Sequence, residues 1–323
     1  MSKKERARRK AEDLEDLGWE ALGFPEPSRG ESIWVAEEYF RKALAIHPDL
    51  ADAYNGLGTV SYLQGRYAEA EAMYRTALEK ARAHLGTDRA RAFSWWGDIS
   101  TRPYMRARHN LGLVFWRQGN YREAIREFEE LLRRNRNDNQ GIRYLIGGLW
   151  HLCGNVGKAI SYYKTAGPMR FGAGDPHNEV NYGLALYQSH QYAEAVKHFR
   201  HAFFLNPYLP QVVLFRKVEP LKIWHGSNLA EPEYALDYWR DYSKLWTRRP
   251  RAATFLRLVY GDEIVRSELK EFLQIRGRLF AEKEYRARST LVDEEQRLTS
   301  LERLRATNPA IASGVISRFE AET

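Results

Sequence analysis

Residues 54–78 read YNGLGTVSYLQGRYAEAEAMYRTAL, a stretch that combines small residues with large aromatic rings at regular spacing. Small residues stand at Gly58 and Ala70, a glycine stands between them at Gly65, and a large ring follows at Tyr74. Small residues on two facing helices allow the helix backbones to approach closely, and a ring can then fill the space beside them. The pattern predicts two antiparallel helices with a turn near Gly65.

The same pattern recurs along the chain, which indicates a repeat architecture. Each copy has a small residue on its second helix and an aromatic ring one turn later. The small residues are Ala36, Ala70, Ala124, Ala159 and Ala195, and the rings are Phe40, Tyr74, Phe128, Tyr163 and Phe199. The turns are predicted near Gly65, Gly119, Gly154 and His190. Because one helical hairpin cannot bury its own apolar face, the copies are expected to stack on one another.

This pattern resembles the tetratricopeptide repeat, whose signature places Trp, Leu, Gly and Tyr on a first helix and Ala, Phe, Ala and Pro on a second, over 34 residues. The resemblance implies an all-α fold, a right-handed superhelix of helical hairpins with a concave groove that binds other proteins. Segments such as NDNQGIRYLI and AEPEYALDYW are also similar to a bacterial subgroup related to the suppressor-of-tumorigenicity family of animals.

The spacing divides the chain into four segments. In order, they are a basic N-terminal helix and linker at 1–30, the repeat array at 31–207, a degenerate repeat or cap at 208–261 and amphipathic helices at 262–323. The array consists of a half repeat at 31–50 and repeats at 51–84, 105–138, 140–168 and 176–207. The C-terminal helices are expected either to cap the last repeat or to form a coiled-coil seam that makes a homodimer.

Two insertions interrupt the array. Gly65 and Gly119 are 54 positions apart, about 20 more than one repeat needs, so an insertion lies at 82–104. It is either a pair of longer helices with a loop, or a loop that folds across the groove, and an exposed Trp95–Trp96 pair favours the second alternative. A smaller insertion lies at 166–176.

Composition and motifs argue against an enzyme. The chain has 323 residues, a single cysteine and a formal charge of +8. It has no apolar run long enough to span a membrane and no secretion signal, which predicts a cytoplasmic location. It also has no glycine-rich phosphate loop, no Gly-x-Ser-x-Gly elbow and no metal-ligand motif. His198 and His201 lie one helical turn apart without a third ligand, so neither a metal nor a cofactor is predicted.

Binding of another protein is the function that the pattern favours. The first helix of each repeat is expected to line a groove in which rings supply contact area and amides fix the backbone of an extended peptide. The predicted groove residues are Asn55, Tyr62, Arg106, His109, Asn110, Trp116, Arg117, Tyr144, His151, Asn181 and Tyr187. Of the residues with which some family members grip a C-terminal carboxylate, only Asn110 is matched. The predicted role is a non-catalytic adaptor or scaffold, and the alternative for each ring is ordinary packing between repeats.

Two basic segments support a different class of partner. Residues 1–10 carry six cations against Glu5, and residues 243–290 carry 12 Lys and Arg against six acids. Clustered cations contact phosphates, and exposed rings such as Trp246 and Tyr260 would stack on bases. The alternative function is therefore binding of nucleic acid or an anionic surface, unless these segments are simply solvated charged faces.

Overall fold

The structure, a computed structural model, describes residues 2–23, 30–89, 91–166 and 174–322. Within these ranges it contains sixteen α-helices, short 3₁₀ segments at Ile99–Thr101 and Asn228–Ala230, and no strand, so the all-α prediction is confirmed. The helices are α1 Lys3–Ala21, α2 Gly30–Ile46, α3 Ala51–Leu63, α4 Tyr67–Leu85, α5 Arg102–Gln118, α6 Tyr121–Arg134, α7 Arg143–Leu152, α8 Val156–Ala166, α9 Pro176–Gln188, α10 Tyr192–Leu205, α11 Leu209–Phe215, α12 Pro232–Thr247, α13 Pro250–Gly261, α14 Glu263–Ala281, α15 Tyr285–Thr299 and α16 Leu301–Ala321. The chain divides into two compact units, residues 1–143 and 144–323.

The first unit contains three helical hairpins, α1/α2, α3/α4 and α5/α6. In each hairpin a glycine on the first helix lies against a ring on the second: Gly18 against Phe40, Gly58 against Tyr74, and Gly112 against Phe128. A Cβ atom at Gly58 would lie only 2.5 Å from the Tyr74 ring, so no larger residue fits there without displacing the ring. Close helix packing thus follows from the repeated glycine.

Helix α1 completes the half repeat predicted at 31–50. The sequence prediction had separated residues 1–30 as a basic helix and linker. In the structure α1 packs against α2, and Gly18 meets Phe40 in the same way that Gly58 meets Tyr74. The array of the first unit therefore begins with α1.

The turns of the hairpins lie at the residues that the sequence predicted. Gly65 and Gly119 have φ angles of 74° and 82°, and in the second unit Gly154 and His190 have φ angles of 79° and 58°. These are left-handed conformations, which glycine adopts without a steric penalty. His190 is the one non-glycine among the four, and its Nδ1 lies 3.0 Å from the Tyr192 hydroxyl.

The insertion at 82–104 lengthens helix α4 and continues as a loop, and the predicted exposure of Trp95 is wrong. Helix α4 is long and ends at Leu85, and the chain then folds back onto the first unit as a loop. Trp95 is 2% exposed and its ring lies 5.0 Å from that of Tyr104, so it anchors the loop in the core. Trp96 is only half-buried. The smaller insertion at 166–176 lies largely outside the described residues.

The second unit contains two more hairpins, α7/α8 and α9/α10, followed by the helices that the sequence left less defined. Gly147 lies against Tyr163 and Gly183 lies against Phe199, which repeats the contact of the first unit. The prolines end helices where predicted, because α10 stops at Leu205, two residues before Pro207. Helices α11, α13, α14 and α16 pack against α10, and α15 packs against α14 and α16.

The C-terminal helices form a cap. The apolar stripe of α14 is buried within the unit, at Val265, Leu269, Phe272, Ile275 and Leu279. Helix α16 packs along α10, the second helix of the last repeat. The fully buried guanidinium of Arg200 donates to Glu268 Oε2 and to Thr307 Oγ1, both at 2.7 Å, and so joins α10, α14 and α16. The stripe predicted to form a coiled-coil seam is therefore already covered within the chain.

Candidate peptide-binding groove

The first helices α3 and α5 of the first unit line an open cavity of about 480 Å³, called the open groove below. Its wall is completed by α1, by the inserted loop and by the segment after α6. The lining residues are Trp19, Thr59, Tyr62, Leu63, Tyr74, Trp96, Arg102, Met105, Arg106, His109, Asn110, Leu113 and Gln140. Four of the predicted groove residues, Tyr62, Arg106, His109 and Asn110, therefore come together here.

Hydrogen bonds hold the α3 side of the open groove. The Tyr62 hydroxyl accepts a hydrogen bond from Arg117 Nε at 2.9 Å, which accounts for a fifth predicted residue. Thr59 donates to the backbone oxygen of Asn55 at 3.0 Å, and its hydroxyl lies 3.1 Å from that of Tyr74. These side chains are fixed before any ligand arrives, which lowers the entropic cost of binding.

Two arginines stack on tryptophan rings that line the open groove. The Arg106 guanidinium lies 4.8 Å from the Trp19 ring centroid and forms an ion pair with Asp52. The Arg102 guanidinium lies 3.9 Å from the Trp96 ring centroid and donates to the Trp96 backbone oxygen at 2.7 Å. Sequence reasoning singled out Trp96 but not Trp19 or Arg102, because these two lie outside the repeat frame.

The amides of the open groove have unused hydrogen-bonding capacity. The Asn110 side chain makes no hydrogen bond to any other part of the chain that the structure describes, and it is half-buried. The Gln140 Oε1 atom is enclosed and has no hydrogen-bond partner among the described residues. A buried amide without a partner is unfavourable, so a ligand that pairs with it gains affinity.

Asn55 and Trp116 occupy the interior instead of the groove surface. Asn55 is fully buried, and its Nδ2 donates to Asp52 Oδ1 at 2.8 Å and to the Pro103 oxygen at 2.9 Å. It thereby fastens the start of α5 to α3. Trp116 is 7% exposed. Both residues are at the predicted positions in the frame, but their side chains are buried, so neither presents a binding surface.

In the second unit the equivalent face is filled by α12. The His177 ring stacks on the Tyr234 ring with centroids 3.9 Å apart, and His177 Nε2 lies 2.8 Å from the backbone oxygen of Tyr234. One turn further along α12, the Tyr238 hydroxyl donates to Asn181 Oδ1 at 2.9 Å.

A further turn along, the Tyr242 ring occupies the space above Gly148, where an added Cβ would lie 2.5 Å from it. The predicted groove residue Asn181 thus binds the chain's own helix.

The other predicted groove residues of the second unit are also engaged or buried. The Tyr187 ring packs on Phe255 and Phe319 at 5.1 and 5.8 Å, and His151 is 1% exposed. Burial lowers the pKa of His151 to about 4, so the ring is neutral at physiological pH. Tyr144 is half-buried and lines a separate cavity of about 350 Å³. The segment after α11 brings α12 to this face, which the repeat frame alone did not predict.

Glu179 holds the two histidines that the sequence considered as metal ligands. Its Oε2 lies 2.7 Å from His198 Nδ1 and 3.2 Å from His201 Nδ1. Burial alone would raise the pKa of Glu179, but the hydrogen bonds from the histidines lower it to about 2. Among the described residues, no group of three or more His, Cys, Asp or Glu side chains could hold a metal ion.

The basic segments differ in their accessibility. Trp246, expected to be exposed for stacking, is 1% exposed and its Nε1 donates to the Tyr238 hydroxyl at 2.6 Å, so this expectation is wrong. The Arg276 guanidinium donates hydrogen bonds to Glu295 Oε1 and to the backbone oxygen of His225, both at 2.7 Å. By contrast, residues 2–10 of α1 are all exposed. Within the described ranges, no helix is long and apolar enough to cross a membrane.

Two segments of the chain match models of the tetratricopeptide repeat, residues 50–90 and residues 109–176. The chain therefore contains tetratricopeptide repeats over these two segments. Neither match tests the similarity to the suppressor-of-tumorigenicity subgroup, which stays a prediction. No curated protein matches the chain.

Two solved structures have a related architecture. One is YrrB, a TPR protein with an unusual peptide-binding site, with 19% identity and a TM-score of 0.44 over 60% of this chain and 84% of that chain. The other is pilF of Pseudomonas aeruginosa, with 17% identity and a TM-score of 0.45 over 84% of this chain and 100% of that chain. Both likenesses are too distant to indicate what this chain binds.

Proposed function

We propose that the protein is a non-catalytic interaction scaffold and that it binds a segment of a partner protein in the open groove of the first unit. Tetratricopeptide repeats support a protein partner. The observation that carries the proposal is that the groove is open and that its lining suits a protein ligand. It is an open cavity of about 480 Å³ whose lining consists of rings, amides and arginines, and whose Asn110 side chain has no hydrogen bond within the described chain.

This lining has the composition of a protein-binding surface. Aromatic and arginine side chains are enriched at the energetic centres of protein interfaces, and exposed amides can pair with the backbone of a bound segment. The groove contributes Trp19, Tyr62 and Trp96 as rings and Asn110 as the amide. Because several of these side chains are already held by hydrogen bonds or stacking, little ordering is needed on binding.

A peptide selection followed by one substitution tests the proposal. The full-length chain is panned against random peptides displayed on phage, and the affinity of an enriched peptide is measured by fluorescence polarisation. Asn110→Ala is expected to weaken this peptide about three- to tenfold, since one hydrogen bond contributes about 0.5–1.5 kcal/mol. Asn139→Ala, at an exposed asparagine of the same unit, is the matched control and is expected to leave the affinity unchanged.

Two results would contradict the proposal. The first is a selection that enriches no peptide on the folded chain. The second is an enriched peptide whose affinity is the same for wild type, Asn110→Ala and Asn139→Ala, because that peptide binds elsewhere. Circular dichroism and urea unfolding of each variant establish that the compared proteins are equally folded.

A further inference from the structure

We propose that the segment bound in the open groove carries an Asp or Glu side chain beside an apolar or aromatic residue, and that Arg102 binds this carboxylate. The inference rests on the proposed function and names the chemistry of its ligand. It also gives the inserted loop a role, because Arg102 and Trp96 both lie in the inserted region at 82–104 and both line the groove.

The charge of the groove lining has one sign. The described residues that line it include Arg102 and Arg106 but no Asp or Glu. His109 adds no charge at neutral pH, since enclosure by the surrounding protein lowers its pKa to about 4. A negatively charged ligand is therefore favoured over a neutral or basic one, and like-charge contact would disfavour a basic segment.

The two arginines differ in their ion pairing, and this difference identifies the one that can bind the carboxylate of a ligand. Arg106 is already paired with Asp52. Arg102 forms no ion pair among the described residues, and its Nε is enclosed without a hydrogen-bond acceptor. A guanidinium that is partly removed from water and not neutralised is unfavourable, and an incoming carboxylate offsets that cost.

The geometry around Arg102 prepares it for a carboxylate. Stacking on Trp96 at 3.9 Å and donation from Nη2 to the Trp96 oxygen at 2.7 Å fix the plane of the guanidinium. A fixed planar fork loses little entropy when it binds a planar carboxylate. The rings of Trp96 and Tyr62 in the same lining provide a surface for the apolar neighbour of the acidic residue.

A peptide carboxylate fits this lining better than a nucleic-acid backbone. Binding along a phosphate backbone relies on several cations that neutralise successive phosphates. The groove supplies one arginine that lacks an ion-pair partner within the described ranges, which suits a single carboxylate. We commit to an internal acidic side chain; a carboxylate at the end of a chain and an oligonucleotide are alternative ligands that the experiment separates.

The test compares matched peptides on matched proteins. Phage libraries with internal random segments and with free C-termini are panned on the full-length chain. The best internal peptide is then synthesised with its Glu or Asp and with the corresponding Gln or Asn. Wild type is expected to prefer the acidic peptide about tenfold, as a charge-assisted hydrogen bond does, and Arg102→Gln is expected to abolish that preference.

Two further proteins guard against a merely structural effect. Arg126→Gln removes an exposed arginine of the same unit, whose side chain is 71% exposed, and is expected to keep the tenfold preference. Arg102→Lys keeps the positive charge but removes the planar guanidinium, and it is expected to keep only part of the preference for the acidic peptide. A variant that is partly unfolded would bind both peptides more weakly and would leave their ratio unchanged.

Several outcomes would overturn this inference. They are equal affinity of wild type for the acidic and amide peptides, a preference that survives in Arg102→Gln, enrichment from the free C-terminus library alone, and displacement of the peptide by a 15-nucleotide oligothymidylate. If no peptide is enriched, or if Asn110→Ala has no effect, the proposed function fails as well. Peptides that depend on Asn110 but show no acidic preference leave the proposed function standing and remove only the inference.

Discussion

The repeats α3–α6 of the first unit and α7–α10 of the second unit differ in what covers the same face. Thr59 and Gly148 each follow a packing glycine, and Asn110 and Asn181 each stand two residues before one. In the second unit, Gly148 and Asn181 accept Tyr242 and Tyr238 of α12. In the first unit, Thr59 and Asn110 line an open cavity.

The difference shows that a repeat frame defines a surface but not its occupant. A concave face made of rings and amides is unfavourable when it is left uncovered, and it is stabilised either by the same chain or by a partner. The second unit uses an aromatic helix of its own, with Tyr234, Tyr238, Tyr242 and Trp246 spaced four residues apart. In the first unit no helix of the described chain fills the equivalent space, and we propose that a partner protein does.

Removing a ring from α12 is expected to have the largest effect. Tyr238 is fully buried, and Tyr238→Ala deletes its ring and the hydrogen bond to Asn181, so it should lower the free energy of unfolding by about 3–5 kcal/mol. Urea unfolding measures the loss. Tyr285→Ala, at a tyrosine that is 82% exposed, is the control and should cost less than about 0.5 kcal/mol. Equal effects of the two substitutions would mean that α12 does not cover this face.

A smaller effect is expected when the contact is crowded instead of emptied. Gly148→Ala places a Cβ 2.5 Å from Tyr242, and overpacking of this kind costs about 1–3 kcal/mol. Gly157→Ala is the matched control, because a Cβ there meets no atom within 4 Å and alanine favours a helix. If Gly148→Ala and Gly157→Ala unfold at the same urea concentration, Tyr242 is not packed against Gly148.

The stability of the first unit is expected to depend on pH through the buried carboxyl group of Glu15. Glu15 on α1 is 8% exposed; burial, together with the nearby carboxylates of Asp52 and Asp16, raises its pKa to about 8. Because the folded pKa lies above the unfolded value of about 4.5, the folded state binds the proton more tightly and loses stability as the pH rises from about 4.5 to above 8.

Between pH 6 and pH 9 the free energy of unfolding should therefore fall by about 2–3 kcal/mol more in wild type than in Glu15→Gln. Urea unfolding at the two pH values measures this difference. Glu20→Gln, at an exposed residue of the same helix, should behave like wild type. Identical pH dependence of wild type and Glu15→Gln would show that the α1 contact does not titrate in this range.

The repeats could be predicted from the sequence because their signals are local. Each packing glycine and its ring lie in one hairpin, and each turn residue is recognisable by itself. The pairing of α1 with α2 was missed although Leu17-Gly18 repeats the pair at Leu57-Gly58. The longer separation of 22 residues from Gly18 to Phe40, against 16 from Gly58 to Tyr74, hid the match.

The occupant of the second groove could not be predicted, because its contacts join distant parts of the chain. His177 and Tyr234 are 57 residues apart, and the prolines between them gave no direction for the returning chain. The four-residue spacing of aromatic residues in α12 predicted a helix with a ring-bearing face, but not the surface that this face covers. The same limit applies to Trp19 and Arg102, which reach the open groove from outside the repeat frame.

Hydrogen–deuterium exchange of the full-length chain, with and without a saturating phage-selected peptide, locates the bound segment. Binding in the open groove is expected to slow exchange in α3, in α5 and in the loop around Trp96, with α7, α9 and α12 unchanged. Protection of α7 and α9, or faster exchange in α12 as it is displaced, would place the ligand in the second unit and would contradict binding in the first.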